Sequence, residues 1–159
     1  MAERFRPTAE VRLRMYKHLL IATDGSELGH EAVGQGLSLA RALGAKATVV
    51  TVTAPWFGFG PDGITQSLSL EDYERMTESH AASILSSAIE MAHKSGISCD
   101  TLHVKNQSPS DGIVETARRL GCDLIVVASH GRRGISRLVL GSQANRILVQ
   151  SPVPVLIYR

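Results

Sequence analysis

This sequence has few cysteines, no long apolar segment and little net charge. Its 159 residues include two cysteines, Cys99 and Cys122, which form neither a C-x-x-C pair nor a metal-ligand spacing with a histidine. We interpret both as small buried hydrophobic residues. No apolar run reaches the roughly eighteen residues that a membrane-spanning helix needs. We therefore expect no membrane insertion.

The formal net charge of +2 comes from one end of the chain. Residues 1–14 hold four arginines and two glutamates, whereas residues 15–159 hold thirteen basic and thirteen acidic residues. A neutral body lacks the basic face that binds nucleic acid, so we expect no nucleic-acid partner. The first residues also lack the apolar segment of a secretory signal. We expect a cytoplasmic protein with a mobile extension over residues 1–14 and one domain over residues 15–159.

Strand-like and helix-like patterns alternate from residue 16 onward. Short apolar or β-branched runs predict strands at Tyr16–Ala22, Ala47–Ala54, Ile97–Lys105, Cys122–Ala128 and Val153–Tyr158. Helical patterns and their end signals predict helices at Glu27–Leu43, Leu70–Lys94, Ser108–Leu120 and Gly141–Val149. Strands joined by helical crossovers indicate a three-layer α/β/α fold with a parallel sheet covered on both faces. In such folds, ligands bind at the carboxyl ends of the central strands.

A glycine-punctuated loop follows the fourth predicted strand. Residues 128–142 read ASHGRRGISRLVLGS, with nine residues between Gly131 and Gly141, and residues 128–146 carry four arginines and no carboxylate. The first backbone N–H groups of a helix lack intrahelical partners and lie at the positive end of its dipole. Because a helix is predicted to start at Gly141, this loop is a candidate anion site, with phosphate as the candidate ligand.

The first predicted strand also ends in a turn, formed by Thr23-Asp24-Gly25-Ser26. Ser26 is positioned to cap the following helix. Asp24 has two roles that the residues leave open. It either hydrogen-bonds the backbone of its own turn or faces a ligand. In a parallel sheet, this turn and the glycine-rich loop lie at the same edge.

The two turns and the terminal segment PVPVLIY resemble the universal stress protein family, and the resemblance covers residues 15–159. The family's nucleotide signature, G-x2-G-x9-G-[ST], stands here as Ala128-x2-Gly131-x9-Gly141-Ser142, with alanine in place of the first glycine. The resemblance implies an ATP-binding protein with an adenine nucleotide alpha hydrolase-like, Rossmann-like fold. It also implies a sheet of strand order 3-2-1-4-5 and a homodimer formed through the last strand, Val153 to Tyr158.

The resemblance also implies where the nucleotide lies. The candidate binding residues surround the adenosine (Ala22, Thr23, Asp24, Val52, Val127, Ala128) and the phosphates (Gly131, Arg132, Gly141, Ser142, Gln143). Asp24 is in addition the candidate ligand of a phosphate-bound Mg²⁺, since that ion prefers oxygen ligands. Ala128 weakens binding if its position needs a positive φ or leaves no room for a methyl group. It is harmless if the backbone there is ordinary β, which we favour because Ala128 ends an extended run.

Three functions fit these residues. The first is an ATP-dependent regulatory switch of the stress response, acting on a protein partner that the sequence does not name. The second is a dimeric interaction module with a degenerate ATP site. The third is an enzyme, but related ATP pyrophosphatases carry an SGG-x-DS loop where this chain has TDGS. We assign no catalytic residue and expect at most slow ATP hydrolysis, and we interpret His130 as structural because the sequence shows no partner to orient it.

Overall fold

The computed structural model of the chain describes residues 15–57, 69–130 and 140–159. The predicted mobile extension over residues 1–14 lies outside these ranges. The described residues form five strands: β1 (His18–Ala22), β2 (Lys46–Val52), β3 (Asp100–Val104), β4 (Leu124–Ala128) and β5 (Val155–Tyr158). They also form four helices: α1 (Glu27–Leu43), α2 (Leu70–Lys94), α3 (Pro109–Leu120) and α4 (Ser142–Gln150). The predicted alternation of strands and helices is confirmed.

All five strands are parallel and form one sheet of order β3-β2-β1-β4-β5. The strand order that the resemblance implies is therefore confirmed. The central strand β1 is fully buried at Leu19, Leu20 and Ile21, each 0% exposed. Because the strands are parallel, the carboxyl ends of β1, β2 and β4 lie next to one another on the same side of the sheet, which we call its carboxyl edge.

Alternate residues of the strands pack against different helices. Leu19 and Ile21 of β1 belong to the core layer with α1 and α2, whereas Leu20 and Ala22 belong to the layer with α3 and α4. The sheet therefore separates two helical layers, as successive right-handed crossovers require. Helix α1 lies very close to β1, because a Cβ on Gly36 would stand 2.8 Å from Ile21 Cδ1.

The helix ends follow the sequence signals to within one residue. Ser26 caps α1, since its Oγ accepts a hydrogen bond from the Gly29 N–H at 3.1 Å, and Gly44 ends that helix with a φ of +64°. Ser108 caps α3, and Ser110, the other serine of that segment, is buried in the first turn. Helix α4 begins after Gly141 with no side-chain cap.

All five strands are shorter than predicted, and at β3 and β5 a local hydrogen bond explains the later start. β3 starts at Asp100 instead of Ile97, because the Ile97 N–H bonds to the Ala92 carbonyl at the end of α2, at 3.0 Å. β5 starts at Val155 instead of Val153, since the Val153 N–H bonds to Ser151 Oγ and Pro154 has no N–H to donate. In both cases a local hydrogen bond replaces the first sheet contacts.

Candidate functional site

A cavity of about 1030 Å³ opens at the carboxyl edge of the sheet. Its walls are the ends of β1, β2 and β4, the first turns of α3 and α4, and the amino-terminal half of α2. Parallel α/β folds place ligands at this edge, where the chain crosses from one face of the sheet to the other. Size and position make this cavity the candidate functional site.

Nine of the eleven residues predicted to bind the nucleotide line this cavity: Ala22, Thr23, Asp24, Val52, Val127, Ala128, Gly141, Ser142 and Gln143. The other two, Gly131 and Arg132, lie outside the described residues. The fold thus brings the turn after β1 and the end of the glycine-rich loop into one site, although more than a hundred residues separate them in the chain. That these residues bind a nucleotide stays a prediction.

The turn after β1 is fixed by its own side chains. Asp24 Oδ1 accepts a hydrogen bond from the Ser26 N–H at 3.0 Å, and Thr23 Oγ1 accepts from the Gly25 N–H at 3.2 Å. Helix α1 packs directly on this turn, because a Cβ on Gly29 would lie 2.9 Å from Thr23 Oγ1 and 3.0 Å from Asp24 Oδ1. Asp24 therefore has the turn role that the sequence left open, and it also lines the cavity.

Strand β2 extends beyond β1 at this edge. The last paired residue of β1, Ala22, stands opposite Val50, and the Thr23 N–H donates to the Val50 carbonyl at 3.0 Å. Backbone groups alternate in direction along a strand, so the N–H and the carbonyl of Val52 point the same way as those of Val50. At Val52 the neighbouring strand has already ended. The cavity therefore contains a backbone donor and a backbone acceptor side by side.

The amino end of α4 abuts the end of β4. The Gly141 N–H donates to the Ser129 carbonyl at 2.7 Å, and a Cβ on Gly141 would lie 2.9 Å from that oxygen. The first hydrogen bond of the helix runs from the Asn145 N–H to the Gly141 carbonyl at 2.9 Å. The N–H groups of Ser142 and the two residues after it precede this bond and lie at the positive end of the helix dipole, beside the cavity.

Gln143 connects α4 to α3. Its Oε1 accepts a hydrogen bond from the Ser110 N–H at 3.0 Å, and Ser110 is 0% exposed. A side chain of one helix thus satisfies a first-turn N–H of the other. No local sequence pattern indicates this contact, because its two residues lie 33 positions apart.

Ala128 has ordinary strand geometry. It is the last residue of β4 and pairs with Tyr158 of β5. Among the described residues other than glycine, positive φ values occur only at Tyr16 and Asn106. The first condition under which alanine would harm the site, a positive φ, is therefore absent.

Helix α2 forms a wall of the cavity that was not predicted from the sequence. The lining side chains follow helical spacing and are Tyr73, Met76, Thr77, His80, Ala81 and Ile84. The Tyr73 hydroxyl donates to the Ala54 carbonyl at 2.7 Å and so ties the start of α2 to the end of β2. Burial raises the pKa of this tyrosine. The helical spacing was readable in the sequence, but the face of α2 that borders a cavity was not.

His130 has an orienting partner in the structure. Its Nδ1 lies 3.0 Å from Ser129 Oγ, and the residue lines the cavity next to Gly141. The predicted structural role for His130 rested on the lack of such a partner in the sequence. This partner, Ser129 Oγ, is a hydroxyl and not a carboxylate.

Neither a metal-ligand cluster nor a membrane-spanning helix occurs in the described part of the chain. In residues 15–57, 69–130 and 140–159, no three histidine, cysteine, aspartate or glutamate side chains cluster as metal ligands. Across the same described ranges, each helix is too short or too polar to cross a membrane. Cys122 is buried, as predicted, and burial raises the pKa of its thiol to about 11. The same prediction is wrong for Cys99, which is only partly buried at the amino end of β3.

Known proteins of one family resemble this chain in sequence and in fold. The profile of the universal stress protein family matches residues 15–159. Universal stress protein A homolog 1 of Coxiella burnetii is 33% identical over 135 residues, which cover 84% of this chain and 89% of that protein. A universal stress protein of Methanocaldococcus jannaschii is 28% identical over 147 residues, covering 91% of this chain and 83% of the relative.

A solved structure extends the likeness to the fold. The crystal structure of a universal stress protein in complex with cAMP is 28% identical, with a TM-score of 0.68, and the match covers 91% of this chain and 97% of the other. The chain therefore matches this family in sequence and in fold over residues 15–159. The chain belongs to the universal stress protein family.

Proposed function

We propose that the protein binds ATP in the cavity at the carboxyl edge of the sheet and acts as an ATP-dependent regulatory switch. One observation carries the proposal. The cavity has a backbone donor and acceptor at Val52 on one side and the uncapped amino end of α4 on the other. A nucleotide has a hydrogen-bonding base at one end and phosphates at the other.

The Val52 backbone favours adenine. Adenine presents an amino donor beside a ring-nitrogen acceptor, which complements a carbonyl beside an N–H. Guanine presents an acceptor, O6, where adenine has its amino group, and would leave two acceptors facing each other. An unpaired polar group in such a contact costs about 1–3 kcal/mol. We therefore propose that the site prefers ATP to GTP.

The phosphates are proposed to lie at the amino end of α4. The Gly141 position lets the helix start against β4, and Ser142 adds a hydroxyl to the first-turn N–H groups. Gly131 and Arg132 are proposed to contact the phosphates from the loop. Asp24 is proposed to hold a phosphate-bound Mg²⁺. The related protein solved with cAMP supports an adenine nucleotide as the ligand class.

Calorimetric titration tests this proposal. The protein is first stripped of bound nucleotide and then titrated with Mg-ATP and with Mg-GTP. We expect ATP to bind at least about tenfold more tightly than GTP, which corresponds to about 1.4 kcal/mol. No heat at millimolar ATP, together with no thermal stabilisation by ATP, would refute nucleotide binding.

The second candidate function is a nucleotide-independent interaction module. Its best support was alanine in place of the first signature glycine, but the ordinary strand geometry of Ala128 weakens that support. Nucleotide retained by the purified protein and seen by mass spectrometry would exclude this function.

We also propose a homodimer through the terminal strand. β5 lies at the edge of the sheet, and the neighbouring surface exposes Leu148, Val149 and Leu156 at 48%, 78% and 42%. An edge strand with apolar neighbours can pair with a second copy. Sedimentation should show that Leu156→Lys separates the dimer, whereas Leu120→Lys, at a residue 38% exposed on α3, leaves it intact. Equal sedimentation of the two variants would count against this interface.

The switch is proposed to act in the cytoplasm through a regulatory protein partner and not through catalysis. The turn after β1 reads TDGS, whereas related ATP pyrophosphatases carry an SGG-x-DS loop at this place. Any ATP hydrolysis should be slow. A turnover above about one per second, the low end of ordinary enzymes, would contradict this view.

A further inference from the structure

We infer that Gly112 is a positioning residue that fixes Val52 and thereby sets the affinity of the site for adenine. Gly112 lies in α3 and is not among the residues that line the cavity. The inference rests on the proposed function, because it needs adenine at the Val52 backbone. It goes further in assigning selectivity for the base to the contact between α3 and β2, which lies outside the nucleotide signature of the family.

Gly112 is buried and has no room for a side chain. A Cβ on Gly112 would stand 2.9 Å from Val52 Cγ1 and 3.1 Å from Val52 Cγ2, whereas carbon atoms in ordinary contact are about 3.5–4.0 Å apart. It would also stand 3.2 Å from Gln107 Oε1, but that atom ends a flexible side chain and can move aside. Alanine forms helices better than glycine, so the helix alone would favour alanine at this position. The missing side chain instead allows α3 to approach the end of β2 closely.

Val52 has little freedom to move away from an added methyl group. The next residue is held in the sheet, because the Thr53 N–H donates to the Val104 carbonyl at 2.8 Å and the Thr53 carbonyl accepts from the Gln107 N–H at 3.3 Å. Valine is β-branched, which restricts rotation about its χ1 angle, and both Cγ atoms of Val52 lie close to Gly112. The strand side of the contact therefore has little room to adjust.

Helix α3 is also held in place at this contact. The N–H of Ser110, a residue 0% exposed, donates to Gln143 Oε1 of α4 at 3.0 Å. The Gly112 N–H donates to the Ser108 carbonyl at 2.9 Å in the first turn of the helix. Because hydrogen bonds hold both partners, an added methyl group must displace one of them, by about 0.5 Å if ordinary contact is to be restored.

Either displacement alters the cavity where the base is proposed to bind. A shift of Val52 moves the N–H and the carbonyl that pair with adenine, and a hydrogen bond weakens as its length and angle depart from the optimum. A shift of α3 moves Pro109 and Ile113, which line the cavity. Adenosine carries the same base as ATP, so the two ligands should lose affinity by the same factor. GTP lacks the matching pair of groups and should lose less.

The experiment measures the binding of ATP, adenosine and GTP by calorimetry to the wild-type protein, Gly112→Ala and Gly36→Ala. Gly36 is the matched control, because it is also a buried helix glycine, and a Cβ there would lie 2.8 Å from Ile21 Cδ1. Ile21 is 0% exposed and belongs to the core layer with α1 and α2, not to the cavity lining. Thermal unfolding of each variant measures how far the added methyl group destabilises the fold.

We expect Gly112→Ala to bind ATP and adenosine about tenfold more weakly than the wild type, as the loss of about one hydrogen bond would cause, with a lower ratio of ATP to GTP affinity. We expect Gly36→Ala to lose stability and to keep all three affinities. Unchanged affinities in Gly112→Ala, equal losses in Gly36→Ala, or a loss for ATP that adenosine does not share overturns the inference and leaves the proposed function intact. No binding of ATP or adenosine by the wild type overturns the proposed function itself.

A double variant tests whether Val52 carries the effect, and it decides the matter if Gly112→Ala alone does not fold. Val52→Ala removes both Cγ atoms that the added methyl group would meet and keeps the backbone N–H and carbonyl. We expect the protein with both Val52→Ala and Gly112→Ala to bind ATP within about threefold of Val52→Ala alone, because the contact that couples the two positions is gone. A larger further loss in the double variant means that the methyl group acts elsewhere, and it overturns the inference.

Discussion

Ala128 is the single residue at which the chain departs from the nucleotide signature of its family. It is extended within β4, so glycine is not needed there for a positive φ. We predict that Ala128→Gly changes the Kd for ATP by less than about threefold, or about 0.7 kcal/mol. The substitution should cost about 0.5–1 kcal/mol of stability, because glycine in a strand loses more conformational entropy on folding. Calorimetry and thermal unfolding measure the two effects.

The opposite outcome would identify the methyl group as an obstacle. A gain in ATP affinity above about tenfold in Ala128→Gly would mean that Ala128 Cβ crowds the nucleoside. In that case the second condition, room for the methyl, governs the site. The degenerate-site alternative would then regain its support.

Gln143 shows what a resemblance can and cannot predict for one side chain. The resemblance assigned it to the phosphate region, and the structure places it in the lining of the cavity. Its Oε1 nevertheless accepts a hydrogen bond from the Ser110 N–H. This side-chain oxygen therefore connects α4 to α3. Sequence position predicts the neighbourhood of a residue, but not which partner its side chain takes in the packed fold.

Helix α4 starts at a glycine that has no room for a side chain. A Cβ at Gly141 would lie 2.9 Å from the backbone oxygen of Ser129, which cannot move aside as a flexible side chain would. We predict that Gly141→Ala shifts the start of α4 and lowers ATP affinity by about tenfold or more, a loss of about 1.4 kcal/mol. Adenosine affinity should fall less, because adenosine does not use the end of this helix. Calorimetric titration with both ligands checks this.

Gly96→Ala is the control for that variant. Gly96 has a φ of +69° and no atom within 4 Å of an added Cβ, so alanine there is strained but displaces nothing. We expect a loss of about 1 kcal/mol of stability and unchanged ATP affinity. If both variants lose ATP affinity equally, general destabilisation explains the effect and the amino end of α4 does not.

Most elements could be predicted because their signals are local. Serine caps, C-terminal glycines and apolar spacing predicted α1, α2 and α3 within a residue or two of their observed ends. The wall that α2 gives to the cavity was not predictable in this way. It depends on how far the helix reaches past the sheet, which is a property of packing and not of the helix alone.

Over the whole molecule, two partly buried histidines should make stability fall in mild acid. His18 Nε2 lies 2.8 Å from Thr48 Oγ1, and His103 Nε2 lies 2.7 Å from Thr53 Oγ1. Burial, and secondarily a nearby lysine, lowers the pKa of each ring. The unfolded chain therefore takes up protons near pH 6.5 while the folded protein does not. We predict a lower urea midpoint at about pH 5 than at about pH 7.5.

Substituting a histidine separates its contribution to the pH dependence of stability from that of the carboxylates. The pKa values of Asp100 and Glu78 are lowered by hydrogen bonds to Lys46 and Lys105, so the stability they provide is lost only in stronger acid. In His18→Gln the difference between the two urea midpoints should shrink. In His93→Gln, at an exposed position, it should persist. A difference of the same size in both variants would mean that His18 does not contribute.

Local sequence was sufficient for the order of the elements and, through the family signature, for most residues of the candidate site. This follows because caps, apolar periodicity and turn glycines act between residues close together in the chain. The joining of those residues into one cavity is a property of the packed sheet, since β1 and β4 become neighbours only when the crossover through α3 is complete. The open backbone edge at Val52 and the contact of His130 with the start of α4 likewise arise from where strands end relative to one another, which no short stretch of sequence encodes.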